Sequence, residues 1–220
     1  YKIQLGVKST KGLGAGANPE IGKRSAEEDL DKIIDSVKDA DVVFLAAGLG
    51  GGTGSGGLPV IAKALREKDI LTVAVVTKPF VFEGRRRGKV AQDSLELLKR
   101  EVDTIIVLSN QKLIDVVDQK VSLMKAFSMI NDVLCQFVRS ISGIIDKPGY
   151  INVDFADIKA IMKNKGFAVI GTGKASGEER AYKAAMQAIS SPLIENVDIS
   201  GAQGILINIS GGPDLGLHEM

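Results

Sequence analysis

Gly48-Leu49-Gly50-Gly51-Gly52-Thr53-Gly54-Ser55-Gly56-Gly57 lies between an apolar run, Asp41 to Ala47, and a segment from Leu58 to Lys68 with helical apolar spacing. A loop between a buried strand and a helix aims backbone N–H groups and the positive end of the helix dipole at one spot. Glycine suits such a loop because a Cβ would keep phosphate oxygens away and because some positions need positive φ. Thr53 and Ser55 add hydroxyl donors. The bland alternative is a flexible linker, but such linkers join separate units, whereas this run sits inside one strand-helix pair. It reads as a phosphate-binding loop in a nucleotide-binding protein.

Outward from the loop, β-branched runs alternate with runs of three-and-four apolar spacing, the pattern of a parallel α/β sheet. The expected elements begin with a strand over Tyr1 to Leu5 and a helix capped by Asn18 that runs to about Lys38, burying Ala26, Leu30, Ile33, Ile34 and Val37. After the strand Asp41 to Ala47 and the helix Leu58 to Lys68 come a strand at Ile70 to Val76, a helix at Lys89 to Glu101 and a strand at Thr104 to Leu108. From Ser122 to Asp146 a broad apolar stripe predicts a helix of ~37 Å, buried between layers and ended by Pro148-Gly149, with Cys135 as a packing residue. Asp154 then caps a short helix carrying Ile158, Ile161 and Met162. A strand at Phe167 to Gly171 follows, with a capping box at Ser176-Gly177-Glu178-Glu179, a helix to Ile189 and a last strand at Ile205 to Ile209.

The 220 residues carry 28 Lys and Arg against 27 Asp and Glu, so no whole-molecule field draws the chain to nucleic acid or anionic lipid. Arg85-Arg86-Arg87 is too short a basic run to alter this. One cysteine and one histidine, Cys135 and His218, leave no intramolecular disulfide and no usual Cys/His zinc site, which fits a reducing compartment. No stretch approaches the ~20 apolar residues of a membrane-spanning helix. Because Tyr1 stands first and already reads as strand, the chain is expected to be an internal piece of a longer protein.

The glycine run lacks the Lys-Ser/Thr ending of a Walker loop. It contains a formal G-x-G-x-x-G at Gly52, Gly54 and Gly57, but the following strand ends Val76-Thr77-Lys78-Pro79 without the acid a dinucleotide fold places there. A dinucleotide oxidoreductase is thus a minor alternative. A second loop, Gly12-Leu13-Gly14-Ala15-Gly16-Ala17-Asn18, also opens onto a helix, so two loops can grip one polyphosphate.

The run Gly48 to Gly56 resembles the signature of the tubulin/FtsZ superfamily, and Asn152-Val153-Asp154-Phe155-Ala156-Asp157 resembles the catalytic loop of its bacterial cell-division branch. Thr77-Lys78-Pro79-Phe80, Phe82-Glu83-Gly84 and Ser190-Ser191-Pro192-Leu193 are similar to that branch in the same order, so the resemblance covers essentially the whole chain. It implies an α/β fold, a parallel Rossmann-like GTPase sheet with a long central helix and the start of a second α/β subdomain. The implied division is residues 1–120 as the nucleotide-binding GTPase domain, 121–148 as the long helix and 149–220 as the catalytic loop and opening of the second subdomain. The family has further strands and a glycine loop before the position of Tyr1, and its C-terminal subdomain continues beyond Met220.

The resemblance also implies ligands and roles. Gly50, Gly51, Gly52, Thr53, Gly54, Ser55 and Gly56 would meet the phosphates of GTP or GDP, with Mg2+ a candidate companion, and Ala15 and Gly16 would approach the terminal phosphate. Glu83 and Arg87 would lie at the ribose and phosphate edge, and Phe127, Asn131 and Asp132 would hold the guanine. On residue type alone, Asn131 and Asp132 are acceptors suited to a purine edge on an otherwise apolar helix, or else a solvated polar patch.

Asp154 and Asp157 can share one helix face and orient a water for attack on phosphate, or serve only as cap and first-turn acid. The resemblance favours catalysis, with Asn152 in the same loop. A long helix would separate these acids from the base pocket by on the order of 25 Å, so they would act on the nucleotide of the next subunit in a head-to-tail filament. The implied partners are other copies of the chain together with cell-division membrane tethers and regulators, without nucleic acid or direct membrane insertion. The implied location is the cytoplasm at the division site. The competing readings are a non-hydrolysing folding or interaction fragment and the oxidoreductase.

Overall fold

A computed structural model describes residues 1–114, 121–146, 149–150, 152–190 and 201–220. Four parallel strands, β1 (Val42–Gly48), β2 (Leu71–Lys78), β3 (Thr104–Ser109) and β4 (Gly166–Ala168), lie in the sheet order β1-β2-β3-β4. β2 is buried from Leu71 to Thr77 because helices cover both faces, as its unbroken apolar sequence requires.

One face packs against α3 (Thr53–Glu67) and α4 (Arg85–Glu101) through Leu58, Ala62, Ala91, Leu95 and Leu98 over Ala74, Val76, Ile105 and Val107. The other packs against α6 (Leu123–Asp146) and α7 (Phe155–Met162) through Phe137, Ile141, Ile158 and Met162 over Leu71, Val73, Val75, Ile106 and Leu108. Before the sheet come α1 (Pro19–Glu28) and α2 (Leu30–Val37); α5 (Asn110–Ile114) follows β3 and α8 (Arg180–Ile189) follows β4. The α/β class and the parallel sheet are as the sequence predicts.

Several elements differ from expectation, each for a local reason. Tyr1 to Leu5 and Ile205 to Ile209 are not strands, since neither run finds a partner among the described residues, and Ile205 and Ile207 remain largely exposed. The first helix is broken at Asp29, whose buried carboxylate accepts from the Gly6 backbone N–H at 2.9 Å and from Lys32 at 2.6 Å. Beyond the break α2 has no fully buried residue.

Helix α3 begins at Thr53, five residues before Leu58, so half of the glycine run is helix. α6 buries only one face, Ala126, Ile130, Phe137 and Ile141, while Met124, Phe127 and Cys135 are exposed. The box at Ser176 does not form: α8 starts after Glu179, which is left-handed at φ +55° and makes no side-chain cap. Pro148 and the Ser191-Pro192-Leu193 part of the resemblance lie outside the described residues.

Candidate functional site

The strand register brings the candidate residues to one end of the sheet. Gly48 pairs with Thr77, and Lys78 with Ser109, so the C-terminal ends of β1, β2 and β3 open side by side. Crevices outside such ends are where parallel α/β sheets hold ligands.

The glycine run leaves β1 there and divides its labour. The Leu49 N–H donates to the Thr77 carbonyl at 2.9 Å, and Gly50 turns the chain at φ +99°. Gly52 and Gly56 serve packing: a Cβ at Gly52 would lie 2.5 Å from the Ala15 Cβ, and one at Gly56 would overlap the Pro19 carbonyl. α1 and α3 therefore meet backbone to backbone. By contrast, a Cβ at Gly51 would meet nothing within 4 Å, and Thr53 is exposed.

Gly52 stands at the N-cap of α3 and offers no side-chain cap, and the Gly56 N–H donates to the Gly52 carbonyl at 2.9 Å. The amides of Thr53 and Gly54 thus begin a helix with no carbonyl one turn behind them, the condition that favours an anion. In the second loop Gly14 (φ +87°) and Gly16 (φ +55°) also border open space, while Ala15 packs on Gly52 and brings the two loops together.

Two residues of the run turn inward. Ser55 is 2% exposed; its Oγ accepts from the Gly50 N–H at 2.8 Å and its carbonyl accepts from Ser94 Oγ at 2.7 Å. Its hydroxyl braces the turn at Gly50. Gly56 faces α1, with the Pro19 carbonyl where a Cβ would lie, and its N–H is taken by the Gly52 carbonyl.

After β2, Phe80 is buried, stacks on Phe82 with centroids 4.8 Å apart and meets Phe127 of α6 edge-on at 5.4 Å. The structure therefore brings Phe127 to this end of the sheet, with Asn131 and Asp132 exposed about one turn further along α6. Glu83 accepts from the Phe80 N–H at 2.9 Å and from Arg87 at 2.6 Å, so the predicted edge pair is a preformed ion pair.

Sequence reading missed Asn110. It is 6% exposed directly after β3, and its Oδ1 is buried without a hydrogen-bond partner among the described residues. An unpaired buried acceptor is costly and calls for a donor. The signal available was its position, an amide at the C-terminal end of a parallel strand. Together with the uncapped α3 and the open space at Gly51, Gly14 and Gly16, this donor and acceptor set fits a polyphosphate carrying a hydrogen-bonding base.

Asn152, Asp154 and Asp157 are elsewhere. From Asn131 to Asp146, α6 advances ~22 Å away from the base-side residues. Beyond its end Asp154 caps α7: Asp154 Oδ1 accepts from the Asp157 N–H at 2.8 Å, and Asp157 Oδ2 from the Asp154 N–H at 3.4 Å. Both carboxylates are exposed, and each keeps an oxygen outside this box. Asn152 closes a turn on Gly149, accepting from its N–H and donating to its carbonyl. Cap and candidate acid are thus the same residues. Among the described residues no group of three or more His, Cys, Asp or Glu forms a metal site, and no helix is long and apolar enough to cross a membrane.

Comparison with known proteins accounts for this arrangement. Residues 1–118 match the family model for the Tubulin/FtsZ family, GTPase domain, and residues 166–220 that for the FtsZ family, C-terminal domain. The chain is 52% identical over 217 residues to the cell division protein FtsZ of Buchnera aphidicola subsp. Baizongia pistaciae, covering 99% of this chain and 56% of that protein. It is 51% identical over 231 residues to the cell division protein FtsZ of Wolbachia pipientis, covering 100% of this chain and 73% of that protein. A solved structure of an empty FtsZ dimer from M. jannaschii superposes with a TM-score of 0.90 at 47% identity, covering 98% of this chain and 62% of that one.

Proposed function

The chain belongs to the Tubulin/FtsZ family, and from that premise we propose that it is the nucleotide-binding and catalytic-loop portion of a GTPase that assembles head to tail for bacterial cell division. The observation that carries the reading is the uncapped start of α3 at the C-terminal ends of the strands, with the acid pair set beyond the far end of α6. The first unit, 1–120, holds most of the nucleotide site, α6 spaces it from the acids and adds the guanine side, and 149–220 supply the catalytic loop and open the second unit.

In this account the amides from Gly51 to Gly54, with the Thr53 hydroxyl, hold the phosphates of GTP or GDP, and Ala15 and Gly16 border the terminal one. The Glu83-Arg87 pair flanks the ribose and phosphate edge. Phe127 gives an apolar wall for guanine, while Asn131, Asp132 and the unpaired Asn110 Oδ1 supply acceptors for its N–H groups. Mg2+ would accompany the nucleotide and neutralise charge on its phosphates.

Asp154 and Asp157 orient and polarise the attacking water on the neighbouring subunit's nucleotide, with Asn152 shaping their loop. A heterologous contact of this kind propagates into an open filament. The M. jannaschii relative's solution as a dimer supports self-association. Tethers and regulators at the cytoplasmic face of the division site complete the proposed setting.

A second reading applies to the chain taken by itself. β1 is the outermost described strand on its side, with Ala46 and Gly48 exposed, and the chain spans only 56% of the Buchnera relative and 62% of the M. jannaschii one. This favours a folding or interaction module that does not hydrolyse GTP alone. The separating experiment is Asp157→Ala in a full-length parent: GTP affinity is expected to stay within about twofold while turnover is abolished, and loss of binding would sink the geometric argument.

A further inference from the structure

We propose that Asp103 is a positioning residue for the acid pair: it fastens the far end of α7 to the starts of β2 and β3, and so holds Asp154 and Asp157 in register with the nucleotide-binding sheet. The inference rests on the reading of that pair as catalytic toward a neighbour's nucleotide.

Asp103 sits just before β3, and its oxygens gather four backbone donors. Oδ2 accepts from the Thr72 N–H at 2.9 Å and Oδ1 from the Asn164 N–H at 3.3 Å, while its carbonyl accepts from Lys165 at 2.9 Å and Gly166 at 3.0 Å. Three successive amides of the turn leaving α7 therefore converge on one residue of the sheet. That turn is shaped for it, with Asn164 at φ +57° and Gly166 at φ +74°. Next along the chain, Thr104 Oγ1 donates to the Met162 carbonyl at 2.5 Å, the last residue of α7.

The neighbouring ties are weaker. Asp69 accepts from Lys163 at 2.8 Å and lies 3.8 Å from Lys159, but its side chain is 75% exposed, where ion pairs contribute little. Ile158 and Met162 bury α7 against the sheet, with Val153 and Phe155 packed beside them at its start, but such apolar contacts are non-directional.

Leverage makes the anchor consequential. α7 has eight residues, ~12 Å, so a tilt of ~5° about its anchored end moves the acid-bearing end by ~1 Å. A misplacement of ~1 Å can cost up to ~100-fold in rate. Asp103 touches no nucleotide and works entirely through α7.

The test is Asp103→Asn in a full-length parent, with Thr104→Val as a second variant that removes the adjoining tie while nearly conserving volume. Three quantities are read: GTP affinity, polymer mass by sedimentation, and turnover per polymerised subunit. Turnover is expected to fall roughly tenfold in Asp103→Asn and about threefold in Thr104→Val, with affinity and polymer mass within about twofold of the parent.

Full turnover in both variants overturns the proposal. So does a parallel loss of affinity or polymer, which would mark a merely structural role; if only Asp103→Asn fails to fold, Thr104→Val decides. Asp157→Ala separates the two levels. If that variant retains turnover, the acid-pair reading falls and the positioning role with it; if it is dead while both anchor variants are fully active, the positioning role alone is wrong.

Discussion

At the scale of single residues, neighbouring glycines in the run have opposite duties. Gly56→Ala places a methyl on the Pro19 carbonyl and is expected to cost about 1–3 kcal/mol, measurable by urea unfolding of this chain. Gly51→Ala adds its methyl to open space and should leave stability within about 0.5 kcal/mol while weakening GTP binding by the parent. Asn110→Ala should likewise cost affinity, about 1–3 kcal/mol by nucleotide titration, without loss of fold, because the deleted acceptor has no internal partner. Sequence alone grouped the glycines as one phosphate loop. It could not show that Ser55 and Gly56 turn inward, since that depends on where α1 and α4 lie, and Asn110 became visible only as a buried atom lacking a donor.

At the scale of elements, what was legible followed burial. β1, β2 and β3 were readable to within two residues because each is an unbroken apolar run; β2 and β3 are buried on both faces, and the partly exposed edge strand β1 keeps the same composition. The start of α3 was hidden because glycine is a poor helix former, and tight packing on α1 overrides that preference. Ile205 to Ile209 misled because β-branched sequence marks a strand only where a partner exists.

The segment after that run is tied down electrostatically. Arg180 donates to both Glu219 oxygens, at 2.6 and 2.8 Å, and to Asp214 at 2.6 Å, joining α8 to the chain's last residues. The guanidinium pulls Glu219 from its ordinary 4.5 down to about 2 and also lowers Asp214. A depressed carboxylate stabilises the folded form fully above its unfolded value and loses that contribution as protons return. The tie should therefore persist from neutral pH through about 4.5 and fail as pH falls toward 2, followed by the chemical shift of the Glu219 carboxyl. Arg180→Ala should raise that titration toward 4.5, with the Gly216 N–H still holding it somewhat below.

At the scale of the whole molecule, function is distributed between two places. The groups proposed to face the nucleotide gather at the C-terminal ends of the strands, while the acid pair stands at the start of α7, anchored through Asp103 at the opposite, N-terminal ends. On the proposed reading, one copy presents a nucleotide in one place and acids in another, and contact between copies unites them. Complementation tests this most directly. Full-length Asp157→Ala subunits, which keep the nucleotide site, are mixed with Gly51→Val subunits, which keep the acids but block the phosphate loop. Each variant alone should hydrolyse little GTP, and the mixture should regain turnover, because Gly51→Val acids meet Asp157→Ala nucleotide at their shared contacts. A mixture that co-sediments yet hydrolyses no faster than the sum of its parts would contradict the account.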